Sequence, residues 1–258
     1  MNSSVERHFS KAATAYHRSA HFQRELARRV LELSPEIRRG SALDVGCGTG
    51  YLAGELARRY PQLGIDAIDI SRAMLAEGSA HYSDCTNIRW QRADVLDLEF
   101  DNHYDIVLSG AALQWIIPFS AAAEKLISLI KPQGFLLAAV VTHGTFSELH
   151  ELKDRIAPSK PLTNSLPHAD HVVVELERAG FILEHQEELC AEQAYSSARE
   201  FLHSIRELGF TARPTGTGQE RLTRGELASL VEAYDGRFKG AKEVVATQKA
   251  ILLRARKP

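Results

Sequence analysis

The chain has 258 residues, 44% hydrophobic and 25% charged, which fits one large α/β domain or two small ones. A formal net charge of −2 argues against a nucleic-acid binder, and three scattered cysteines (Cys47, Cys85, Cys190) are too few for a disulfide framework or a four-cysteine zinc site. The polar start MNSSVERHFSKAATAYH lacks the apolar stretch of a signal peptide, and the longest apolar run, FLLAAVV at 135–141, is too short to span a bilayer, so a reducing cytoplasm is the expected setting.

Residues 5–33 read as helix, because Phe9, Ala13, Tyr16, Ala20, Gln23, Ala27 and Val30 recur at steps of three or four until Pro35 stops the run. Strand and helix patterns then alternate. SALDV is a strand and YLAGELARRY a helix; LGIDAIDI is a strand and SRAMLAEGSAHY a helix with Ser71 as its N-cap. NIRWQRADV and YDIVLSG are strands, SAAAEKLISLI is a helix, and Pro132 and Gly134 mark a turn into the strand FLLAAVV. This alternation predicts a doubly wound parallel sheet. Residues 143–166 read as an excursion from the sheet. HADHVVVELERAG is then helical, FILEHQEELC a strand, 196–209 and 223–235 two helices, and VVATQKAILLRAR a final strand.

The segment LDVGCGTG places Gly46, Gly48 and Gly50 directly after the first strand. Dinucleotide folds use G-x-G-x-x-G to cradle a pyrophosphate. Here the spacing is G-x-G-x-G, and Asp44 brings a carboxylate to the turn. That charge repels a pyrophosphate and favours a cation. S-adenosyl-L-methionine (SAM) has no phosphate and carries a sulfonium and an ammonium, so the charge pattern selects SAM over NAD. Asp69, ending the second strand, can accept ribose hydroxyls; Asp94, ending the third, can accept from the adenine amino group, with the backbones of Ala93 and Val95 beside it. A nicotinamide-dependent oxidoreductase is the alternative that this spacing disfavours.

LDVGCGTG, IDAIDISRAML, RADV and YDIVLSGAALQW together resemble the class I SAM-dependent methyltransferases over residues 40–142. The resemblance implies a seven-stranded Rossmann-like sheet whose last strand is antiparallel. It implies a SAM site with Asp44, Gly46 and Gly48 at the methionine end, Asp69 at the ribose, Asp94 at the adenine, and Ile70, Met74 and Ser109 among the cofactor contacts. The flanks narrow it. HFSKAATAYHRSAHFQRELA, SGAALQW, GTFSELHEL, FLHSIRELGFTARP, RLTRGELASLVEAY and VVATQKAILLRARK, in that order, resemble the malonyl-acyl-carrier-protein O-methyltransferases of biotin synthesis. Phe210, where that family has a small residue, and the loop TARPTGTGQ depart from the pattern.

The expected organisation is one methyltransferase domain over 1–258: an N-terminal helical cap at 1–39, the SAM-binding core at 40–142, and substrate-side insertions at 143–167 and 195–240 that form a lid. After the fourth strand, Ser109, Gln114 and Trp115 include no strong base, which suits an acceptor already ionised at neutral pH, such as a carboxylate. The resemblance implies the free carboxylate of a malonyl thioester on acyl carrier protein; the related trans-aconitate methyltransferases offer a small free acid instead. Tyr16 is expected on the SAM side of the lid with Gln23. Arg206, or neutral donors such as Gln114 and Tyr16, would orient the acceptor carboxylate, and Leu113 and Trp115 fit ordinary core packing equally well. Carrier proteins are acidic, so a local basic patch is expected: Arg24, Arg28 and Arg29 with Arg38 and Arg39, or Lys239, Lys242, Lys249 and Arg254. His17/His21 and His168/His171 share helix faces, but nothing completes a ligand set, so no metal is expected. No nucleic-acid or membrane partner is expected either, and the oligomeric state stays open.

Overall fold

A computed structural model describes residues 6, 10, 20–99, 103–160, 165–208, 210, 222–238, 240 and 243–258. Tyr16, Lys239 and Lys242, most of the 5–20 part of the N-terminal helix and the loop TARPTGTGQ lie outside the described residues. In chain order the elements are α1 (His21–Glu32), β1 (Gly40–Val45), α2 (Tyr51–Arg59), β2 (Leu63–Asp69), α3 (Arg72–His81), β3 (Ile88–Arg92), β4 (Tyr104–Gly110), α4 (Phe119–Leu129), β5 (Ile130–Val141), α5 (Ser147–Ile156), α6 (Ala169–Arg178), β6 (Ile182–Tyr195), α7 (Ala198–Glu207), α8 (Arg224–Phe238) and β7 (Val244–Arg256). Short 3₁₀ turns occupy Val95–Asp97 and Leu113–Trp115.

The sheet has seven strands in the order β3-β2-β1-β4-β5-β7-β6. Strands β3, β2, β1, β4 and β5 pair in parallel, and β7 runs antiparallel to both β5 and β6. Residues along each strand alternate between the two faces. Thus Leu43 and Val45 of β1, Val107 of β4, and Leu136, Ala138 and Val140 of β5 share one core with α4 and α6. Ala42, Ile106, Leu108, Leu137, Ala139 and Val141 share the other with α1, α2, α7 and α8. Asp44 falls between Leu43 and Val45, so it lies on the α1–α2 side.

Four boundaries differ from expectation. β3 stops at Arg92, because the Asp94 side chain accepts from Leu96 N and starts a 3₁₀ turn. Pro132 and Gly134 lie inside β5; Gln133, at φ 65°, absorbs the irregularity while its amide donates to Lys257 O. β6 runs past Cys190 to Tyr195, since β7 offers paired backbone along its whole length. The helix read over 5–33 is broken at Ala20, which is the N-cap of α1, while Glu6 and Ser10 before it are helical.

Candidate active site

The turn after β1 is built from left-handed backbone. Gly46, Gly48 and Gly50 have φ of 65°, 53° and 79°, where a side chain is strained. A Cβ on Gly46 would stand 2.3 Å from Ala112 Cβ, whereas one on Gly48 would meet nothing within 4 Å. One glycine therefore permits close packing against the β4 turn, and the other leaves bare backbone beside open space. Gly48 N donates to Asp69 Oδ2 at 2.9 Å, and Ser71 N donates to Asp69 Oδ1 at 2.8 Å, so the end of β2 fixes the glycine turn. A carboxylate has about four acceptor positions, so capacity remains for a further donor.

A pocket open to solvent lies against this turn. Its wall includes Ala20, Gln23, Arg24 and Ala27 of the N-terminal helix and Asp44, Gly46, Cys47, Gly48, Thr49 and Gly110 of the sheet side. Asp44 is buried, and its Oδ2 accepts from Ala53 N at 3.1 Å. Among the described residues its Oδ1 and the Oε1 of buried Gln23 have no hydrogen-bond partner. Two buried acceptors in one pocket call for a donor, and a missing partner is costly. A pyrophosphate offers only acceptors and cannot satisfy them; an ammonium can. Arg24 adds a cation to the same wall. Two acceptors and a guanidinium in one pocket match the two charges of an α-amino acid, which is the methionine end of SAM. The residues present therefore fit that cofactor.

Burial is the main cause that pushes the Asp44 carboxyl up to about 7; the Ala53 amide opposes the shift and the charge of Asp69 adds to it. Burial also raises Asp69, against the pull of the Ser71 and Gly48 amides. The Cys47 thiol is held well above its ordinary value, first by burial and then by Asp44 and Asp69, so it is not a nucleophile here.

Beyond β2, Ile70 is half-buried and Met74 fully buried in α3, and Asp94, Ala93 and Val95 stand together after β3. Asp94 acts as the cap of its 3₁₀ turn. At the end of β4, Ser109 is fully buried and its hydroxyl donates to Val45 O at 2.9 Å, so it ties β4 to β1. Ala111 takes a left-handed φ of 63°, and Gln114 Nε2 donates to its carbonyl at 2.6 Å. Gln114 thus supports a strained corner, while its Oε1 is buried and has no partner among the described residues. Trp115 is half-buried. Arg206 is exposed on α7 and is not among the residues that line this pocket.

Two N-terminal residues reach the same sheet edge. Glu6 pairs with Arg92 at the end of β3 at 2.7 Å, and Ser10 Oγ lies 2.9 Å from Ser71 Oγ just after β2. Sequence reasoning places Arg24 in a surface patch; the structure places it in the pocket. The available signal is helical phase, since Ala20, Gln23, Arg24 and Ala27 occupy one face of α1. Among the described residues no group of three or more His, Cys, Asp or Glu side chains is arranged to hold a metal ion, and none of the helices is long and apolar enough to cross a membrane.

A family model described as a methyltransferase domain matches residues 42–134. The malonyl-[acyl-carrier protein] O-methyltransferase of Halalkalibacterium halodurans is 30% identical to this chain, covering 94% of each. That of Acetivibrio thermocellus is 29% identical and covers 98% of this chain and 93% of its own. Among solved structures, a Bacillus halodurans protein described as a methyltransferase shares the fold at a TM-score of 0.65 and 16% identity, covering 90% of this chain and 98% of its own. The [4+2]-cyclase SpnF shares it at 0.58 and 20%, covering 91% and 81%. The fold alone therefore does not fix the chemistry. The near-complete match at 30% identity does fix the family: this chain belongs to the SAM-dependent malonyl-[acyl-carrier protein] O-methyltransferases.

Proposed function

We propose that this chain esterifies the free carboxylate of a malonyl thioester carried on acyl carrier protein, the step that the resemblance places in biotin synthesis. The observation that carries the acceptor is the near-complete mutual coverage with relatives that bear this activity in their names. SAM supplies an electrophilic methyl group, which an ionised carboxylate oxygen takes by in-line displacement. In this reading Asp44 and Gln23 hold the ammonium, and Arg24 takes the α-carboxylate. Gly46 and Gly48 let the backbone approach closely. Asp69 accepts from the ribose hydroxyls through its remaining lone pairs. Asp94, with the backbones of Ala93 and Val95, reads the adenine edge, and Ile70 and Met74 give that end its apolar surroundings.

The acceptor needs no general base, because a carboxylic acid of ordinary pKa, about 4, is ionised at neutral pH. Two features support this reading: Cys47 in the pocket wall is kept protonated, and the turn after β4, outside the lining of that pocket, carries Gln114 and Trp115. Gln114 orients the acceptor, and Trp115 keeps water from the reacting atoms. Labelled SAM incubated with malonyl carrier protein, succinyl carrier protein and free trans-aconitate tests the reading. Label in a base-labile ester on malonyl carrier protein, well above both controls, is expected. Transfer to trans-aconitate alone would replace the proposed acceptor with a small free acid.

A further inference from the structure

Most arginines near the surface are neutralised within the fold. Arg28 pairs with Glu25 and Glu32, Arg29 with Glu187, Arg38 with Glu36, Arg155 and Arg237 with Glu151, and Arg254 and Arg256 with Glu184. Helix α7 differs. Its inner face, Ala198, Phe201 and Ile205, is buried. Its outer face carries Arg199, His203 and Arg206 at i, i+4 and i+7, all exposed. Neither arginine has an ion pair among the described residues. Of the nearby acids, Glu200 accepts from Ser196 N and Oγ, and Glu207 lies 3.5 Å from His203; neither pairs with Arg199 or Arg206 among the described residues.

This helix also stands beside the acceptor side of the site. Phe210 N donates to Ile205 O at 3.0 Å, and its ring lies 6.0 Å from that of Trp115, on the turn that follows β4. Arg206 is therefore about one helical turn from the aromatic contact at the end of β4. The chain as a whole carries −2, so it repels an acidic partner at long range and must attract it locally.

We propose that the exposed face of α7 is the docking surface for the acidic carrier protein, with Arg199 and Arg206 as its charge contacts and the Phe210–Trp115 contact as the side over which the thioester arm enters. The inference rests on the malonyl-carrier reading and deepens it. The test compares wild type with Arg199→Glu/Arg206→Glu on malonyl carrier protein and on malonyl-CoA, which lacks the carrier. Arg38→Glu/Arg39→Glu changes net charge equally just before the amino end of β1, whereas α7 follows the carboxyl end of β6. We expect the α7 variant to raise KM for malonyl carrier protein about tenfold with kcat little changed, to leave malonyl-CoA kinetics and SAM affinity within twofold, and the control pair to match wild type. An unchanged KM for malonyl carrier protein, or an equal rise for malonyl-CoA, overturns the docking surface. If wild type methylates neither acceptor, the proposed function fails instead. Docking is then read by direct titration with malonyl carrier protein: weaker binding by the α7 variant upholds it, and equal or absent binding overturns it.

Discussion

Burial pushes the Asp44 carboxyl up to about 7, above the 3.8 it has when exposed, so the folded chain holds this proton more tightly than the unfolded chain does. The stability it contributes is therefore full below about pH 4 and lost as pH rises towards about 7, at about 1.4 kcal/mol per unit. Cation binding works in the opposite direction, because only the ionised carboxylate can hold the ammonium. SAM affinity is expected to rise as pH increases through about 7, with proton release seen as buffer-dependent binding heats in calorimetry. Asp44→Asn is expected to flatten the pH dependence of the ligand-free melting temperature and to weaken SAM binding at pH 8 by tenfold or more, roughly the 1.5–3 kcal/mol of a charged hydrogen bond. Arg24 has a different signature. Arg24→Ala is expected to weaken SAM binding while leaving decarboxylated SAM nearly unaffected, a difference that paired titrations measure. Asp44 and the glycines are legible in the sequence because backbone demands and charge sit in one short segment. Arg24 is not, because its role depends on which face of α1 meets the sheet.

At the scale of elements, α7 is held by a cluster of rings. Phe201 is fully buried, with the rings of Phe146, Tyr195 and Tyr234 at 5.2, 5.2 and 5.3 Å. Phe201→Ala is expected to cost about 3–5 kcal/mol, read as a lowered denaturation midpoint, because the surrounding rings cannot all collapse into the gap. The core strands are readable in the sequence as short apolar runs between glycine and proline. The ends are less so. RADV looks extended, yet the local bond of Asp94 to Leu96 N wins over continued pairing. The far half of β6, AEQAY, carries the polar composition of an edge strand, and only the long partner β7 makes it pair.

For the whole molecule, the five parallel strands set the carboxyl ends of β1, β2 and β4 side by side, with the 3₁₀ turn after β3 next to them, and the N-terminal residues Glu6 and Ser10 bond at that same edge. The order of elements is legible from alternation alone, and α1 from the helical stripe through Gln23. What alternation cannot supply is the acceptor, because one fold carries both methyl transfer and other chemistries. The central claim is that Asp44 Oδ1 and Gln23 Oε1, unpaired among the described residues, are the seat of the cofactor's ammonium. A crystal structure with S-adenosylhomocysteine tests it most directly. The account predicts the α-amino nitrogen within hydrogen-bond distance of both atoms and the α-carboxylate at Arg24. A ligand bound elsewhere, or one whose amino group leaves Asp44 Oδ1 unpaired, would contradict it.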